Sequence, residues 1–116
     1  MATIEFILWK NNTGRCYVGD FIEEQGGKIA FEILTLLEDL QRYDFDILLR
    51  NEKIKKITKD IYEIRLNVHS DKYRFLFGIH NSSGHIVEAF KKKTQKTPLK
   101  YIKNAEDRMF IVYQIK

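Results

Sequence analysis

The sequence is poor in the residues that mark small secreted and zinc-binding proteins. Its 116 residues include one cysteine and one proline. A single cysteine, Cys16, cannot form an internal disulfide or a cysteine-based zinc site, so we expect a reducing, cytoplasmic environment. No run approaches the roughly 18 apolar residues that a membrane span needs, and residues 1–9 lack the basic start and apolar stretch of a signal peptide. We therefore set aside secreted mini-proteins, zinc fingers and membrane proteins.

The composition is that of a globular chain, and its charge is unevenly placed. Hydrophobic residues make up 44% and charged residues 31%, which predicts one domain over residues 1–116. Residues 1–49 hold 4 basic and 9 acidic side chains (net −5), whereas residues 50–103 hold 14 basic and 5 acidic ones (net +9). A basic segment with interleaved aromatics is typical of polyanion-binding surfaces. A solvated lysine-rich surface explains the composition equally well.

The N-terminal half has the pattern of one strand and two helices. Residues 3–9 are rich in strand-forming side chains and end at a turn. A short helix follows and closes at Gly26 and Gly27. Residues 28–43 predict a longer helix, because apolar side chains recur on one stripe: Ile29, Ile33, Leu36, Leu37 and Leu40. Phe31 and Leu34 lie off that stripe, so they either contact the first helix or are exposed for a partner.

The C-terminal half has a period of two and then a final helix. Alternating runs over 61–68 and 72–79, and a further run over 86–90, predict an antiparallel meander. Thr97 as an N-cap and Pro98 as the first helical residue predict a helix from 99 to about 114. The order β-α-α-β-β-β-α indicates an α+β fold with its helices on one face of the sheet.

The hairpin has a predicted register that brings two arginines together. If Asn67 pairs with Lys72, Arg65 lies directly opposite Arg74 on the non-core face. Two like charges in that position are destabilising, but two neighbouring guanidiniums make a good phosphate clamp. In the alternative, Glu63 or Asp71 pairs with one arginine and solvent takes the other.

Three motifs carry a resemblance to a known family. The string Phe90-Lys91-Lys92-Lys93-Thr94-Gln95-Lys96-Thr97-Pro98 resembles the hallmark of the HigB branch of the RelE/HigB toxin superfamily, which includes phage-derived addiction-module killers. Ile61-Tyr62-Glu63-Ile64-Arg65 and Tyr73-Arg74-Phe75-Leu76-Phe77 are similar to two strands of that family. The resemblance covers nearly the whole chain in order.

The resemblance implies a fold and a function. The fold would be a twisted, mostly antiparallel sheet with two N-terminal helices on one face, an open basic groove on the other and a C-terminal helix. The function would be that of the toxin of a type II toxin–antitoxin pair, which enters the ribosomal A site and cuts mRNA without a cofactor. A HigA-like helix-turn-helix antitoxin would be its partner, and no membrane would be involved.

The candidate site residues follow from these motifs. We predict catalytic roles for Arg65, Arg74, Lys93 and Glu63, and RNA-binding roles for Lys91, Lys92, Lys96, Lys72, Lys55 and Lys56. By resemblance, Arg74 would contact the scissile phosphate, Arg65 would contact substrate, and Lys92 or Lys93 would support the developing negative charge. RNA cleavage without a metal uses the ribose 2′-OH as nucleophile, so these cations suit charge stabilisation. No side chains show the spacing of a metal site.

The identity of the proton acceptor is open. Glu63 lies on the arginine face and is equally suited to a structural ion pair. His69, His80 and His85 have suitable ordinary pKa values, but all are placed near turns, where a surface role is more common. Relatives carry His-Gly before the phenylalanine where this chain has Glu88-Ala89, and Tyr101 is out of step with the tyrosine of RelE.

Two other functions fit the same sequence. One is a non-enzymatic growth inhibitor on the same fold, like the ParE-type relatives that poison DNA gyrase. In that case the C-terminal helix would contact protein and the lysines of 91–96 would be solvated. The other is an inactive phage relative that binds RNA, which the Glu88-Ala89 departure keeps open.

Overall fold

The elements follow the predicted order, with two short additions. In a computed structural model that describes residues 3–115, the chain forms β1 (Glu5–Leu8), α1 (Tyr17–Glu24), α2 (Gly27–Leu40), α3 (Phe45–Arg50), β2 (Ile54–Lys56), β3 (Tyr62–Val68), β4 (Asp71–His80), β5 (Ser83–Lys91) and α4 (Leu99–Tyr113). Helix α3 and strand β2 were not predicted. With six and three residues, they are too short to show a period.

The strands form a sheet in the order β1-β5-β4-β3-β2. Strand β1 is parallel to β5, and the other neighbours are antiparallel. The predicted α+β fold with a mostly antiparallel sheet is thereby confirmed. Helix α3 begins at an N-cap, Asp44, whose Oδ1 accepts from the backbone N–H of Asp46 at 2.9 Å.

The first face of the sheet, which carries Ile64, Phe75 and Phe77, packs on α1, α2 and α3. The predicted stripe of α2 faces this core: Ile33, Leu37 and Leu40 are buried, and Ile29 and Leu36 are half-buried. Phe31 and Leu34 are exposed. Of the two alternatives given above, burial against the first helix and exposure, the structure shows exposure.

The second face, which carries Arg65, Arg74 and Leu76, is partly covered by α4. A separate apolar cluster joins this face to the helix: Trp9, Ile61, Leu76, Val87, Phe90, Ala105, Met109 and Val112. A Cβ at Gly78 would lie 2.6 Å from Cε of Met109, so glycine permits the close approach of α4. The expectation that all helices lie on one face is therefore wrong for α4. An amphipathic pattern shows that a helix buries one side but not which sheet face receives it.

Helix α4 begins one residue later than the predicted cap implies. Pro98 is the N-cap and Leu99 the first helical residue, and no side chain caps the helix. The hydroxyl of Thr97 is instead engaged elsewhere, as described below. Within residues 3–115, no helix is long and apolar enough to cross a membrane.

Candidate functional site

The β3–β4 hairpin has the predicted register. Asn67 lies opposite Lys72, and Arg65 lies opposite Arg74. Both arginines are on the second face, because side chains of directly opposed residues share a face and Ile64 and Phe75 occupy the first. The sheet therefore holds two guanidiniums side by side.

Glu63 supplies a negative charge between the two opposed guanidiniums of Arg65 and Arg74, which reduces their mutual repulsion. Its Oε1 lies 3.3 Å from Nε of Arg65 and 3.8 Å from Nε of Arg74. Its Oε2 accepts a hydrogen bond of 2.5 Å from the hydroxyl of Thr97. The Glu63 side chain is 1% exposed, so these contacts take place away from bulk water, where charge–charge attraction is stronger. Of the two ion-pair alternatives, the one with Glu63 is present, whereas Asp71 pairs with Lys91 at 3.4 Å.

The two arginines differ in exposure. The Arg65 side chain is 26% exposed, whereas that of Arg74 is 8% exposed. Nη1 of Arg74 donates to the backbone carbonyl of Tyr73 at 2.9 Å, and its Nε has no hydrogen-bond partner among the described residues. Burial lowers the pKa of Arg74 from its ordinary value; Glu63 acts in the opposite direction and Arg65 adds to the lowering. The expected open groove with both arginines at its surface is thus corrected: Arg65 reaches solvent, and Arg74 lies beneath the surface.

Around Arg65 the chain forms a cleft of about 340 Å³, which we call the basic cleft. It is lined by cations from three segments of the chain: Lys55 and Lys56 of β2, Arg65 of β3, and Lys92 and Lys96 of the loop after β5. Glu63, Gln95 and Thr97 also line it. Such a concentration of cations around one depression suits a polyanion.

Lys92 has a special position among these lysines. It lines the basic cleft and also a neighbouring cleft of about 440 Å³, which contains Lys72 and Lys93. Its backbone N–H donates to the carbonyl of Lys72 at 2.7 Å, which ties the loop to β4. Desolvation lowers the pKa of Lys92 from its ordinary value, the charge of Glu63 opposes this, and the nearby arginines and Lys55 add to the lowering.

Lys91 does not belong to either cleft. It lies opposite Tyr73, a residue of the first face, and its Nζ lies 5.6 Å from the centre of the Tyr73 ring. It also pairs with Asp71, as noted above. The six predicted RNA-binding residues therefore fall into three groups: Lys55, Lys56, Lys92 and Lys96 line the basic cleft, Lys72 lines the neighbouring cleft, and Lys91 lies on the other face. Of the predicted catalytic cations, Arg65 lines the basic cleft and Lys93 the neighbouring one.

The histidines lie outside both clefts. His69 is 3.4 Å from Glu32 of α2. Nε2 of His80 is 3.0 Å from the carbonyl oxygen of Ile115, and the His80 ring contacts those of His85 and Tyr113. Arg74 lies near the start of β4 and His80 at its end, so the pair of histidines lies toward the opposite end of the sheet.

Two positions that departed from the family pattern have structural contacts. Tyr101 stacks on Phe90 with ring centres 4.2 Å apart. Oε2 of Glu88 lies 3.4 Å from Nη1 of Arg108 and accepts from Asn104 at 3.0 Å, which fastens α4 to the sheet. Glu88, which stands where the resemblance implied a histidine, therefore anchors α4.

Sequence reasoning missed Thr97 and Gln95 as site residues. Thr97 was interpreted as a helix cap, and a threonine before a helix satisfies either role. The contact with Glu63 depends on where the loop folds back over β3, which no local pattern reveals. Within the part of the chain that the structure describes, no group of three His, Cys, Asp or Glu side chains is arranged to hold a metal ion.

Comparison with known proteins gives a family. No curated protein and no solved structure shows a significant match. Residues 20–110 match the family described as "Phage derived protein Gp49-like (DUF891)", which is associated with RelE-like toxins of toxin–antitoxin systems. The matched segment exceeds half of the chain and contains both arginines and the lysine-rich loop. The chain therefore belongs to the Gp49-like family of phage-derived proteins.

Proposed function

We propose that the protein is the toxin of a toxin–antitoxin pair and acts as an endoribonuclease on mRNA in the ribosomal A site. The observation that carries the proposal is the convergence of five cationic side chains on the basic cleft. One of them, Arg65, is held in place by a buried carboxylate. A guanidinium presents a planar fork of N–H donors, which matches the oxygens of a phosphodiester.

In the proposed reaction the ribose 2′-oxygen attacks the adjacent phosphorus and the bond to the 5′-oxygen breaks. The products are a 2′,3′-cyclic phosphate and a 5′-hydroxyl. Arg65 contacts the non-bridging oxygens, on which negative charge grows in the transition state. Lys92 lines the cleft with Arg65 and is placed to give a proton to the departing 5′-oxygen, and desolvation lowers its pKa, which acts in the same direction. Lys93 and Lys72 contact the neighbouring phosphates.

Glu63 and Arg74 act in this proposal as positioning residues. The two oxygens of Glu63 already accept from Arg65 and Thr97, and the side chain is 1% exposed, so it is better placed to hold Arg65 than to accept the 2′-OH proton. Arg74 is buried and adds positive charge beneath the cleft. The 2′-OH proton is taken by solvent or by a ribosomal group, since the histidines lie outside the cleft.

The test is induced expression followed by mapping of mRNA 5′ ends. We expect cuts clustered within translated reading frames, and we expect Arg65→Ala to abolish both the cuts and growth arrest. The matched control is Lys28→Ala, which removes an exposed cation of α2 on the other side of the sheet. Arg74→Ala is a poorer choice because Arg74 lies beneath the surface and does not line the cleft. Either substitution leaves the buried charge of Glu63 less compensated, so circular dichroism must show that Arg65→Ala is folded. Growth arrest with uncut transcripts would refute the nuclease.

One observation favours a second function. Phe110 and Ile111 of α4 are 67% and 54% exposed, and large exposed apolar side chains indicate contact with protein. A protein that poisons gyrase through its C-terminal helix would require such an exposed apolar surface on α4. Pulse-labelling after induction separates the two, because translation stops first for the nuclease and DNA synthesis stops first for the gyrase poison. In the gyrase case Phe110→Asp, and not Arg65→Ala, would abolish toxicity.

A further inference from the structure

A second set of exposed apolar side chains lies far from the basic cleft, at the β1 edge of the sheet. Phe31 and Leu34 of α2 are 71% and 48% exposed. Phe31, Leu34 and Glu38 follow one another at helical spacing, so they form a stripe beside the buried one. The buried stripe already supplies the packing of α2 on the sheet, and this second stripe has no use within the described fold.

Leu34 and Glu38 of this stripe line a depression that we call the apolar groove. One cavity of about 380 Å³ lies between β1 and α2 and is lined by Phe6, Leu8, Leu34 and Leu37, among others. Another of about 280 Å³ lies between α1 and α2 and includes Gly19 and Ile22. The two cavities share Leu8 and Leu34. An occupant with two or three apolar side chains at helical spacing would fill both.

The edge of β1 favours a helix over an added strand. Strand β1 pairs with β5 on one side, and its other side is the border of the sheet. On that border the backbone N–H of Phe6 donates to Oε1 of Gln41 at 2.6 Å. An incoming strand would have to displace Gln41 from this hydrogen bond, whereas a helix lying in the groove would leave it intact.

The charge of the groove defines the chemistry of its occupant. Glu23 lines one cavity and Glu38 the other, and neither carboxylate has an ion-pair partner among residues 3–115. Both belong to the acidic segment 1–49 described above. A second copy docked by a two-fold axis would place this acidic surface against itself, which like-charge repulsion disfavours. A basic occupant is complementary.

We propose that the apolar groove binds a basic amphipathic helix of a second protein. Apolar side chains of that helix enter the two cavities beside Leu34, and its lysines or arginines pair with Glu23 and Glu38. The proposal rests on the toxin function only in naming the antitoxin as the source of the helix. The groove and the basic cleft lie on opposite faces of the sheet, so occupation of one leaves the other open.

The test uses a synthetic, labelled 18-residue peptide with leucines on one helical face and lysines elsewhere. Fluorescence anisotropy at physiological salt should show saturable binding to the whole chain. We expect Leu34→Asp, and separately the pair Glu23→Gln and Glu38→Gln, to weaken binding at least tenfold. Leu34 is half-exposed, so its substitution leaves the core intact, and circular dichroism verifies this.

Controls separate groove binding from simple charge attraction. Phe110→Asp removes an apolar side chain of α4 that is more exposed than Leu34, 67% against 48%, and should leave peptide binding within twofold. A peptide of the same composition with its leucines scattered around the helix should bind at least tenfold more weakly. Equal binding of both peptides, or full binding by Leu34→Asp, would overturn the proposal. A dimer in light scattering that Leu34→Asp dissociates would assign the groove to a second copy instead.

Two variants, each measured for RNA cleavage and for peptide binding, distinguish this proposal from the nuclease. Arg65→Ala should abolish RNA cleavage and leave peptide binding unchanged. Leu34→Asp should do the reverse. If the peptide binds but no RNA is cut, the groove stands and the nuclease fails; if RNA is cut and no peptide binds, the groove fails.

Discussion

Glu63 is the residue on which the geometry of the basic cleft depends. It is a buried anion between two opposed arginines, and it also accepts from Thr97 at the start of the final helix. Removing one partner of a buried charge set leaves the others uncompensated in a medium that solvates them poorly. The carboxylate is thus required for folding as well as for the placement of Arg65.

We predict that Glu63→Gln lowers the free energy of unfolding by about 3 kcal/mol. Asp71→Asn is the matched control, since it breaks the exposed pair with Lys91, worth about 0–1 kcal/mol. Urea denaturation followed by tryptophan fluorescence measures both. Equal, small losses in the two variants would show that Glu63 does not hold the arginines together.

His85 gives a pH dependence with a defined sign. Burial lowers the pKa of His85 below its ordinary value of 6.5, partly offset by a hydrogen bond with the backbone of His80. A proton therefore binds His85 more strongly in the unfolded chain than in the folded one. The contribution of His85 to the free energy of unfolding is fully present above about pH 6.5 and is lost as pH falls below that value. Compared with His85→Gln, the wild type should lose more stability between pH 7 and pH 5 in urea titrations. Parallel pH profiles of the two proteins would contradict this.

At the scale of elements, α4 is fastened to the second face by polar contacts as well as by apolar packing. Nη1 of Arg108 donates to the carbonyl of Val87 at 2.7 Å and lies 3.4 Å from Glu88. The guanidinium also lies 4.4 Å from the centre of the Tyr17 ring, so it links α4 with α1. The helix is thus held here by Arg108, and nearer its start by the stacking of Tyr101 on Phe90 and the hydrogen bond from Asn104 to Glu88.

We predict that Arg108→Gln loosens α4 selectively and costs about 2 kcal/mol, because Glu88 keeps a largely buried charge without its cationic partner. Hydrogen exchange should accelerate in the amides of α4 and stay slow in β4 and β5. Lys103→Gln serves as the control, since it breaks an exposed pair with Asp107 on the same helix. Uniform acceleration over the whole chain would mean that α4 does not open separately.

Local sequence patterns predicted most helices and strands. The predictions that were wrong depend on contacts between segments that are distant in the sequence. The β3–β4 register was predicted on the assumption that Asn67 pairs with Lys72, which places the alternating apolar side chains on one face, and the structure has that pairing. The face chosen by α4 was wrong because it depends on Gly78 and on a second apolar cluster assembled from distant segments. The opposed arginines were predictable from register; the burial of Arg74 and the contact between Thr97 and Glu63 were not, because they depend on how the loop crosses the sheet.

At the scale of the whole molecule, the division of charge along the chain becomes a division in space. The acidic segment 1–49 supplies β1, α1 and α2, which lie on the first face and at its β1 edge. The basic segment supplies β2–β5 and the loop that surround the basic cleft. A polyanion approaching the molecule is therefore attracted to one side and repelled from the other, which orients the encounter.

The last prediction follows from this asymmetry and concerns salt. Each cation that neutralises a phosphate of single-stranded RNA contributes about 0.7 to the slope of log affinity against log salt. If all five cations of the basic cleft engage, the slope is about −3.5, and affinity for a short RNA falls about 100-fold between about 50 and 200 mM salt.

Lys55→Gln combined with Lys96→Gln should make the slope shallower by about 1.4. The double control Lys10→Gln and Lys28→Gln removes the same charge from the acidic segment and should leave the slope unchanged. Equal changes in both doubles would mean that RNA responds to net charge alone and not to the cleft.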